Sequence, residues 1–475
     1  MINQADVLFV KNLLLSKGID KIVDLNGKYF DAFVDVLCWN YRNTDSEIWV
    51  NSKYQRIGKF HTKAFVSIFG ALLSWFLFTF KYRKLRVKRF SSRIVAFPFG
   101  GDHVRFKYVF DLLGEDIAVI YPPLYHYGYI QKHIECFEQQ DKAVFVGHFS
   151  LLDILYATYV LLKSVSRIRE CHYQIDNYFE RGYGSLTSVV VSSILYRRFI
   201  IRALRLIPKD GLNRCWFFDY DFDYKYIVFN DEIKKNRNDD VTFHVQHGAF
   251  LGYNDAYCNP VSDVSLCCSK REQSIIESSN KYNSIICPQG SSWQSIDKSA
   301  QKTESSSIKY DILILLTDTL DQKLTQFQKK ILGDLSELNS RVLARYRPQS
   351  IEMDKRVLQD YVKNMDVSDG TTLKQDILCS RLVLCFSEDA IFECFRNNKK
   401  VVFLTKDASC YVFDITPSQN MQIMSSETYN IKNVVSLLDN PICDYSQDSF
   451  VKYNFGDFSF EDVKRNLNII IKRFQ

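Results

Sequence analysis

The sequence has no Cys-x-x-Cys pair, although it contains 13 cysteines among its 475 residues. The cysteines are irregularly spaced within apolar segments, as at Cys267-Cys268, and we expect reduced core thiols rather than disulfides or a zinc site. An amino-terminal signal peptide is not expected either, because Asp6, Lys11 and Lys17 interrupt the apolar residues at the start of the sequence. These absences predict a cytoplasmic protein.

No groove-sized basic patch interleaved with stacking aromatics is present, so a nucleic-acid partner is not expected despite the net charge of +6. The basic residues are instead concentrated in residues 81–93, directly after an uncharged, aromatic-rich run at residues 64–80. This combination favours a helix that lies on an anionic membrane surface. The alternatives are a buried core helix and a membrane span, for which a run of this length is at the short limit.

A chain of 475 residues exceeds the usual size of one core, so we expect two domains. Short strands and helices alternate over residues 93–290 and again over residues 309–475, as is typical of Rossmann-like domains. A polar segment rich in Ser, Gln and Lys separates them, and residues 1–92 are predicted to form a helical amino-terminal region. The predicted fold class is therefore α/β, with two Rossmann-like domains that face a central cleft where ligands bind.

The clearest local pattern runs from Arg381 to Thr405 and reads as strand, polar turn, helix and strand. Its turn, Ser387-Glu388, falls at the carboxyl end of the first strand, where free backbone N–H groups and the positive end of a helix favour phosphate. The sequence therefore predicts a nucleotide site here. Strands are also predicted at 226–229 and 241–245.

Three short motifs occur in a fixed order along the chain. Gln246-His247-Gly248 follows the predicted strand at 241–245, Arg345-Tyr346-Arg347-Pro348 follows a strand of the second domain, and a Ser-x-x-x-x-x-Glu pattern joins Ser387 to Glu393. Over residues 93–430 this order resembles the GT-B glycosyltransferases of bacterial surface-polysaccharide assembly. It is most similar to the capsule and lipopolysaccharide Kdo transferases, the bacterial sialyltransferases and the CDP-glycerol glycerophosphotransferases.

The resemblance implies a role for each matching position. His247 would act near the donor phosphate or the acceptor hydroxyl, as an imidazole can donate or accept a proton near neutral pH, and Gln246 would shape its turn. The residues implied to bind the donor are Arg345, Arg347, Ser387, Glu388 and Glu393, the last through ribose hydroxyls. The chain departs from the family pattern at Gln349, where a histidine is expected, and at Glu388, which replaces a small hydroxyl residue.

Sugar transfer also calls for a carboxylate, and the candidates are Asp219, Asp221, Asp223 and Asp231. Asp231 is preferred because it follows the predicted strand at 226–229. The Asp-x-Asp repeat at residues 219–223 is interpreted as a polar loop, so neither an essential metal nor a cofactor is expected. Acceptor-side candidates come from the turn after the first strand, with His148 as a weaker one. The residues of that turn are Gly100, Gly101, Asp102 and His103, and Gln246 is a further acceptor-side candidate.

These observations predict an enzyme that moves a sugar from a nucleotide donor to a bacterial surface glycan or lipid-linked acceptor. A CMP-linked acidic sugar such as Kdo or sialic acid is the leading donor, and the enzyme is expected on the inner face of the cytoplasmic membrane, held by residues 64–93. The alternatives are a polyol-phosphate transferase of the same architecture, a nucleotide-sugar epimerase, and a non-catalytic, membrane-peripheral assembly protein with a GT-B fold.

Overall fold

The computed structural model describes most of the regular secondary structure of the chain and omits many of its loops. The described residues are 3–43, 60–80, 92–97, 117–123, 143–179, 185–208, 210–218, 223–245, 259–267, 269–288, 308–316, 325–345, 364–368, 372–386, 388–405, 421–439, 449–455 and 460–474.

The first half of the chain forms a seven-stranded parallel sheet, sheet A, in the order β3-β2-β1-β4-β5-β6-β7. Its strands are β1 Ile94–Phe97, β2 Ile117–Tyr121, β3 Ala143–Val146, β4 Cys215–Phe218, β5 Val241–Val245, β6 Val264–Cys267 and β7 Ile285–Pro288. The helices that accompany it are α1 Gln4–Ser16, α2 Ile19–Val23, α3 Gly27–Asn43, α4 Phe60–Phe80, α5 Leu151–Tyr178, α6 Ser185–Leu204, α7 Tyr224–Asn236 and α8 Lys270–Ser279.

The second half forms a six-stranded parallel sheet, sheet B, in the order β10-β9-β8-β11-β12-β13. Its strands are β8 Tyr310–Leu315, β9 Val342–Arg345, β10 Asp366–Val367, β11 Ser380–Cys385, β12 Lys400–Thr405 and β13 Met421–Ser425. Its helices are α9 Gln326–Ser336, α10 Leu373–Leu378, α11 Glu388–Arg396, α12 Ile431–Asp439, α13 Ser449–Phe455 and α14 Phe460–Phe474.

Sheet B has the strand order of a doubly wound Rossmann fold, and sheet A has the same order with one additional strand, β7. Every strand pair in both sheets is parallel. The strands are buried almost throughout, as parallel strands covered by helices on both faces must be. The predicted α/β class with two Rossmann-like sheets is confirmed.

The amino-terminal helices belong to the core of sheet A. Val10 of α1, Phe33 of α3 and Ala71 of α4 lie in one hydrophobic cluster with Val95 of β1 and Trp216 of β4. Residues on both sides of position 92 therefore share a single core. Hydrogen bonds fasten this layer elsewhere, since Lys28 donates to the carbonyl of Val261 over 3.0 Å and Tyr282 donates to Asp35 over 2.6 Å.

Helix α13 connects the two halves near the end of the chain. Phe450 is buried in the core cluster on one face of sheet B, while the helix itself packs against α8, which accompanies sheet A. The polar segment predicted as the domain boundary lies almost wholly outside the described residues, between the end of β7 and the start of β8. That boundary stays a prediction.

Helix α4 contains the uncharged run and is buried on only one side. Ala71 and Ser74 are fully buried against the core, whereas Phe69, Phe76 and Phe80 are more than half exposed. The helix therefore packs on the core with one face and is exposed on the other, and its contact with a membrane stays a prediction. Within the described residues, none of the helices combines the length and the apolar character needed to cross a bilayer.

The cysteines among the described residues carry free thiols, as expected. Six of these thiols are buried and two are partly buried: Cys38, Cys171, Cys215, Cys267, Cys385 and Cys394 in the first group, Cys287 and Cys379 in the second. Burial raises the pKa of the Cys215 thiol to about 12 and that of the Cys171 thiol to about 11. Cys171 and Cys215 therefore remain protonated packing residues near neutral pH.

Candidate functional site

Each sheet has one point where the direction of strand order reverses, and ligands of doubly wound folds bind outside the carboxyl ends of the strands at that point. In sheet A the reversal lies between β1 and β4, where Phe97 pairs with Phe218. In sheet B it lies between β8 and β11, where Leu315 pairs with Cys385. The segments that follow these strand ends are the candidate site.

Most of the predicted site residues lie outside the described part of the chain, in segments that follow strands β1, β5, β9 and β11. They are Gly100, Gly101, Asp102, His103, Gln246, His247, Arg347 and Ser387. The strands that lead to them are described, and they end where the motifs require. Strand β5 ends two residues before His247, and it neighbours β4 at the reversal point of sheet A. The roles of these residues stay predictions.

The βαβ unit predicted at residues 381–405 is confirmed. Strand β11 pairs in parallel with β12, and α11 connects them. Helix α11 begins at Glu388, three residues after the last residue of β11, so its positive end lies at the reversal point of sheet B. Backbone N–H groups at such a position can bind a phosphate without help from a lysine or arginine.

Glu393 lies on α11 and is half-buried. Its Oε1 accepts a hydrogen bond from the side-chain amide of Asn397 over 3.2 Å, one helical turn further along. The carboxylate is about 7.5 Å along the helix axis from the first residue, Glu388. A ligand that places its phosphate at the helix start would extend about that far to bring hydroxyl groups to Glu393.

Arg345 ends β9 and lies level with the end of β11. It pairs with Leu315 of β8, which in turn pairs with Cys385, so Arg345 is two strand spacings, about 10 Å, from the end of β11. Its Nη1 donates to the carboxylate of Asp376 and, over 3.0 Å, to the hydroxyl of Ser368. The guanidinium therefore carries a carboxylate partner within its own domain, and its positive charge is largely compensated there.

The prediction of a strand at 226–229 is wrong, and the reason for choosing Asp231 no longer holds. These residues lie in α7, whose amino terminus is capped by Asp223, which accepts a hydrogen bond from the backbone N–H of Lys225 over 3.0 Å. Asp231 lies on the third turn of this helix and is buried. It therefore does not follow a strand end. The structure describes one aspartate of the Asp-x-Asp repeat, Asp223, and this residue serves as a helix cap.

Asp231 belongs to a buried ion cluster that joins α2, α6 and α7. Arg197 of α6 donates to Asp231 over 2.8 Å, to Asp24 over 2.7 Å and to Glu232 through a short contact, and Lys235 lies 2.9 Å from Asp231. Burial raises the pKa of the Glu232 carboxyl, an effect that Arg197 and Lys235 oppose. The cluster fixes the amino-terminal helices to the domain and provides structural rather than catalytic charge.

The turn after β3 is the part of the carboxyl edge of sheet A that the structure describes in full. Gly147 donates its N–H to the carbonyl of Tyr121 over 2.7 Å, and Ser150 and Asp153 form a reciprocal cap at the start of α5. Arg202 donates to the carbonyl of His148 and to Asp153. His148, the weaker acceptor-side candidate, therefore lies on a turn that is fixed on both sides.

Four residues that form or contact this turn were not predicted as site residues from the sequence: Gly147, Ser150, Asp153 and Arg202. The spacing of Ser150 and Asp153 is a helix-start signature, and a glycine just before it indicates close backbone approach. Arg202 carries no comparable signal, because its contact spans 54 residues. Within the described residues, no cluster of three or more His, Cys, Asp or Glu side chains could hold a metal ion.

We expect Gly147→Ala to destabilise the protein by about 1–3 kcal/mol. An added Cβ would lie 2.5 Å from the carbonyl oxygen of Tyr121 and 2.6 Å from the ring of Phe199, so the turn must shift. Urea unfolding measures the change. Gly333→Ala in α9 is the control, because its added Cβ meets nothing within 4 Å and we expect a gain of about 0.5–1 kcal/mol. Equal stabilities for the two variants would contradict the close approach at Gly147.

No protein-family model matches the sequence, and a comparison with curated proteins finds no match. Solved structures with similar folds include the Methanocaldococcus jannaschii UDP-GlcNAc 2-epimerase in complex with UDP-GlcNAc and UDP, at a TM-score of 0.47 and 12% identity over 80% of this chain and 99% of that one. Arabidopsis thaliana UGT89C1 complexed with UDP has a TM-score of 0.47 at 10% identity, over 79% and 99%. The lipopolysaccharide outer core galactosyltransferase WaaB has a TM-score of 0.44 at 12% identity, over 80% and 100%. The assignment of two Rossmann-like domains stands on the strand order of the two sheets.

Proposed function

We propose that the chain is a glycosyltransferase of the GT-B kind, with the nucleotide-sugar donor bound at the reversal point of sheet B. The observation that carries this proposal is the start of α11 at Glu388, directly outside the paired ends of β8 and β11. A diphosphate or monophosphate there would accept hydrogen bonds from backbone N–H groups. Glu393, about 7.5 Å further along the helix, would accept hydrogen bonds from ribose hydroxyls.

The acceptor would bind at the corresponding edge of sheet A, across a cleft from the donor. The segments that supply this edge are those after β1, β3 and β5, which contain Asp102, His103, His148 and His247. A CMP-linked acidic sugar is the leading donor, and a surface glycan or lipid-linked acceptor the leading acceptor, because the order of the three motifs resembles the Kdo and sialic acid transferases. Arg345 is secondary in this proposal, since Asp376 already compensates its charge.

The proposed location is the inner face of the cytoplasmic membrane. Helix α4 supports it, because its outer side exposes Phe69, Leu73, Phe76 and Phe80 and the chain then continues into seven basic residues between positions 81 and 93. Apolar side chains next to a basic segment bind an anionic bilayer through burial and through attraction to lipid headgroups.

A thermal-shift assay tests the donor site. The panel is CMP, CDP, UDP and GDP with their common sugar conjugates, added to the full chain in mild detergent. A ligand present at 100-fold excess over its dissociation constant is expected to raise Tm by about 5–10 °C, because it binds the folded state alone. Selective stabilisation by one nucleotide identifies the donor class.

Glu393→Gln is expected to weaken binding of that nucleotide about tenfold, because the amide accepts hydrogen bonds less well than a carboxylate. Glu337→Gln, at an exposed glutamate just after α9, is the matched control and should bind normally. If none of the nucleotides shifts Tm, the donor site is refuted, and a non-catalytic assembly protein with two Rossmann-like domains becomes the better hypothesis.

A further inference from the structure

The outer face of the first three turns of α5 is apolar and open to water. We name it the α5 strip, and it consists of Leu151, Leu152, Leu155, Tyr156, Tyr159 and Leu162. Leu152 is 72% exposed and Leu162 is 67% exposed. The opposite face of the same turns, with Ile154, Ala157 and Leu161, packs into the core of sheet A. These turns are therefore apolar on both sides, which a helix that only covers a core does not need.

The exposed charges along residues 151–169 are all basic, and the next residue, Glu170, is an exposed glutamate whose carboxylate pairs with Lys17. Lys163, Arg167 and Arg169 lie on the exposed side, whereas the acidic residue of this segment, Asp153, is buried and paired with Arg202 at 2.8 Å. Two basic groups also lie over tyrosines of the strip. The Arg198 guanidinium is 4.9 Å from the ring centre of Tyr156, and Lys163 Nζ is 6.0 Å from that of Tyr159.

Leucines and tyrosines with a basic rim match the chemistry of an anionic bilayer surface. The apolar side chains enter the boundary between headgroups and acyl chains, tyrosine rings lie at headgroup level, and lysine and arginine meet lipid phosphates. A second copy of the chain is less suited, because the α5 strip itself contains no carboxylate for the basic rim of the other copy, and the nearby Glu170 is already paired with Lys17. An exposed apolar surface of this extent marks an interaction site.

We propose that the α5 strip is a second bilayer contact, in addition to α4, and that it sets the orientation of the sheet A domain on the membrane. The inference rests on the proposed function in one respect, the location at a membrane. Helices α4 and α5 pack against each other, so both contacts belong to the same helical layer of the domain. Helix α5 starts at the carboxyl edge of sheet A, just after His148, and the contact would bring that edge to the bilayer, where a lipid-linked acceptor resides.

Vesicle flotation of the full chain tests the proposal. The vesicles are phosphatidylcholine alone or with about a third phosphatidylglycerol, which supplies the negative surface. The triple variant Leu152→Gln, Leu155→Gln, Leu162→Gln should bind the anionic vesicles on the order of tenfold less tightly than the natural chain. The matched control is Leu8→Gln, Leu15→Gln on α1, where two exposed leucines are replaced and vesicle binding should not change.

A charge variant separates the headgroup contribution from the apolar one. Lys163→Gln, Arg169→Gln should weaken binding to anionic vesicles about fivefold for each residue and leave binding to neutral vesicles unchanged. Equal vesicle binding by the natural chain and the triple variant would overturn the proposal, as would a natural chain that binds neither kind of vesicle. Size-exclusion chromatography tests whether a second copy of the chain covers the α5 strip instead. If the natural chain is a dimer and the triple variant is a monomer, the α5 strip is a dimer interface and not a bilayer contact.

The thermal-shift assay with nucleotides distinguishes a failure of this inference from a failure of the proposed function. The triple variant should keep the nucleotide-dependent rise in Tm, because the α5 strip lies on the sheet A domain and the donor site on sheet B. Vesicle binding without any nucleotide binding would refute the glycosyltransferase proposal and leave the α5 strip as a membrane contact. Nucleotide binding together with unchanged vesicle binding in the triple variant would refute the α5 strip as a membrane contact. The glycosyltransferase proposal would then still stand.

Discussion

Replacing Arg197 with leucine is expected to lower the free energy of unfolding by about 3–5 kcal/mol. The guanidinium binds three carboxylates, and two of them, Asp231 and Glu232, are buried. Leucine fills much of the same volume but leaves Glu232 without its cation, and Lys235 alone remains to pair with Asp231. Urea unfolding measures the loss.

The loss should depend on pH in a defined direction. Burial raises the pKa of the Glu232 carboxyl, and removing Arg197 removes the principal opposing charge. A carboxyl whose pKa is higher in the folded than in the unfolded state binds a proton more tightly when folded, so lowering the pH favours folding. The deficit of Arg197→Leu should therefore shrink as the pH falls from 8 towards 5, and Glu232→Gln should recover part of it at pH 8.

Arg341→Leu is the matched control for this experiment. Arg341 is an exposed arginine whose nearest carboxylate, Asp311, is 3.8 Å away, and such surface pairs contribute about 0–1 kcal/mol. Its replacement should produce little loss and no change in pH dependence. A loss at Arg197 no greater than that at Arg341, or a deficit that grows as the pH falls, would contradict the role assigned to the buried cluster.

The sequence was sufficient to predict the unit at 381–405, and the reason is local. Leu382, Val383 and Leu384 form a short apolar run, the following helix places Ile391, Cys394 and Phe395 on its buried side, and Val401–Leu404 is apolar again. The polar turn between strand and helix separates two different periodicities, so each element is identifiable without knowledge of its neighbours. Strand β5, predicted at 241–245, was identified in a similar way, since its apolar run ends in a polar turn.

The strand predicted at 226–229 failed because α7 is buried on every side. All residues from Lys225 to Ile233 are buried, so the helix shows no polar face and its Tyr-Ile-Val-Phe segment has the composition of a buried strand. The strand that does occupy this part of sheet A is β4, Cys215–Phe218, only four residues long. Hydrophobic periodicity cannot distinguish a buried helix from a buried strand, because the period shows in the sequence only when one side of the element is exposed and polar.

The candidate site was predictable where it depends on strand ends and not where it depends on distant partners. Arg345 was correctly placed at the end of a strand, but its partner Asp376 lies 31 residues later, on α10. The contacts of Asp231 reach back 34 residues to Arg197. Ion pairs of this kind decide whether a charged side chain is available to a ligand, and they depend on tertiary packing that one sequence does not reveal.

The catalytic hypothesis is tested at His247, where alanine is expected to lower kcat by about 10²–10⁴-fold while donor binding stays within about threefold of the natural chain. The structure describes the strand that leads to this position, β5, and its end is held in place. His244, three residues earlier, is buried and its Nδ1 lies 3.0 Å from the hydroxyl of Ser265, which fixes β5 against β6. His247 therefore follows a firmly held strand end at the proposed acceptor edge.

His247→Gln distinguishes proton transfer from hydrogen bonding, because glutamine keeps a hydrogen-bonding group but does not titrate near neutral pH. If the imidazole transfers a proton, both variants lose turnover to a similar extent, and one limb of the pH–rate profile disappears in each. If it only contacts the donor phosphate, His247→Gln keeps most of the activity and His247→Ala weakens donor binding instead, as the thermal-shift assay would show. Full turnover by His247→Ala would remove this residue from the site and leave the acceptor edge to the residues after β1 and β3.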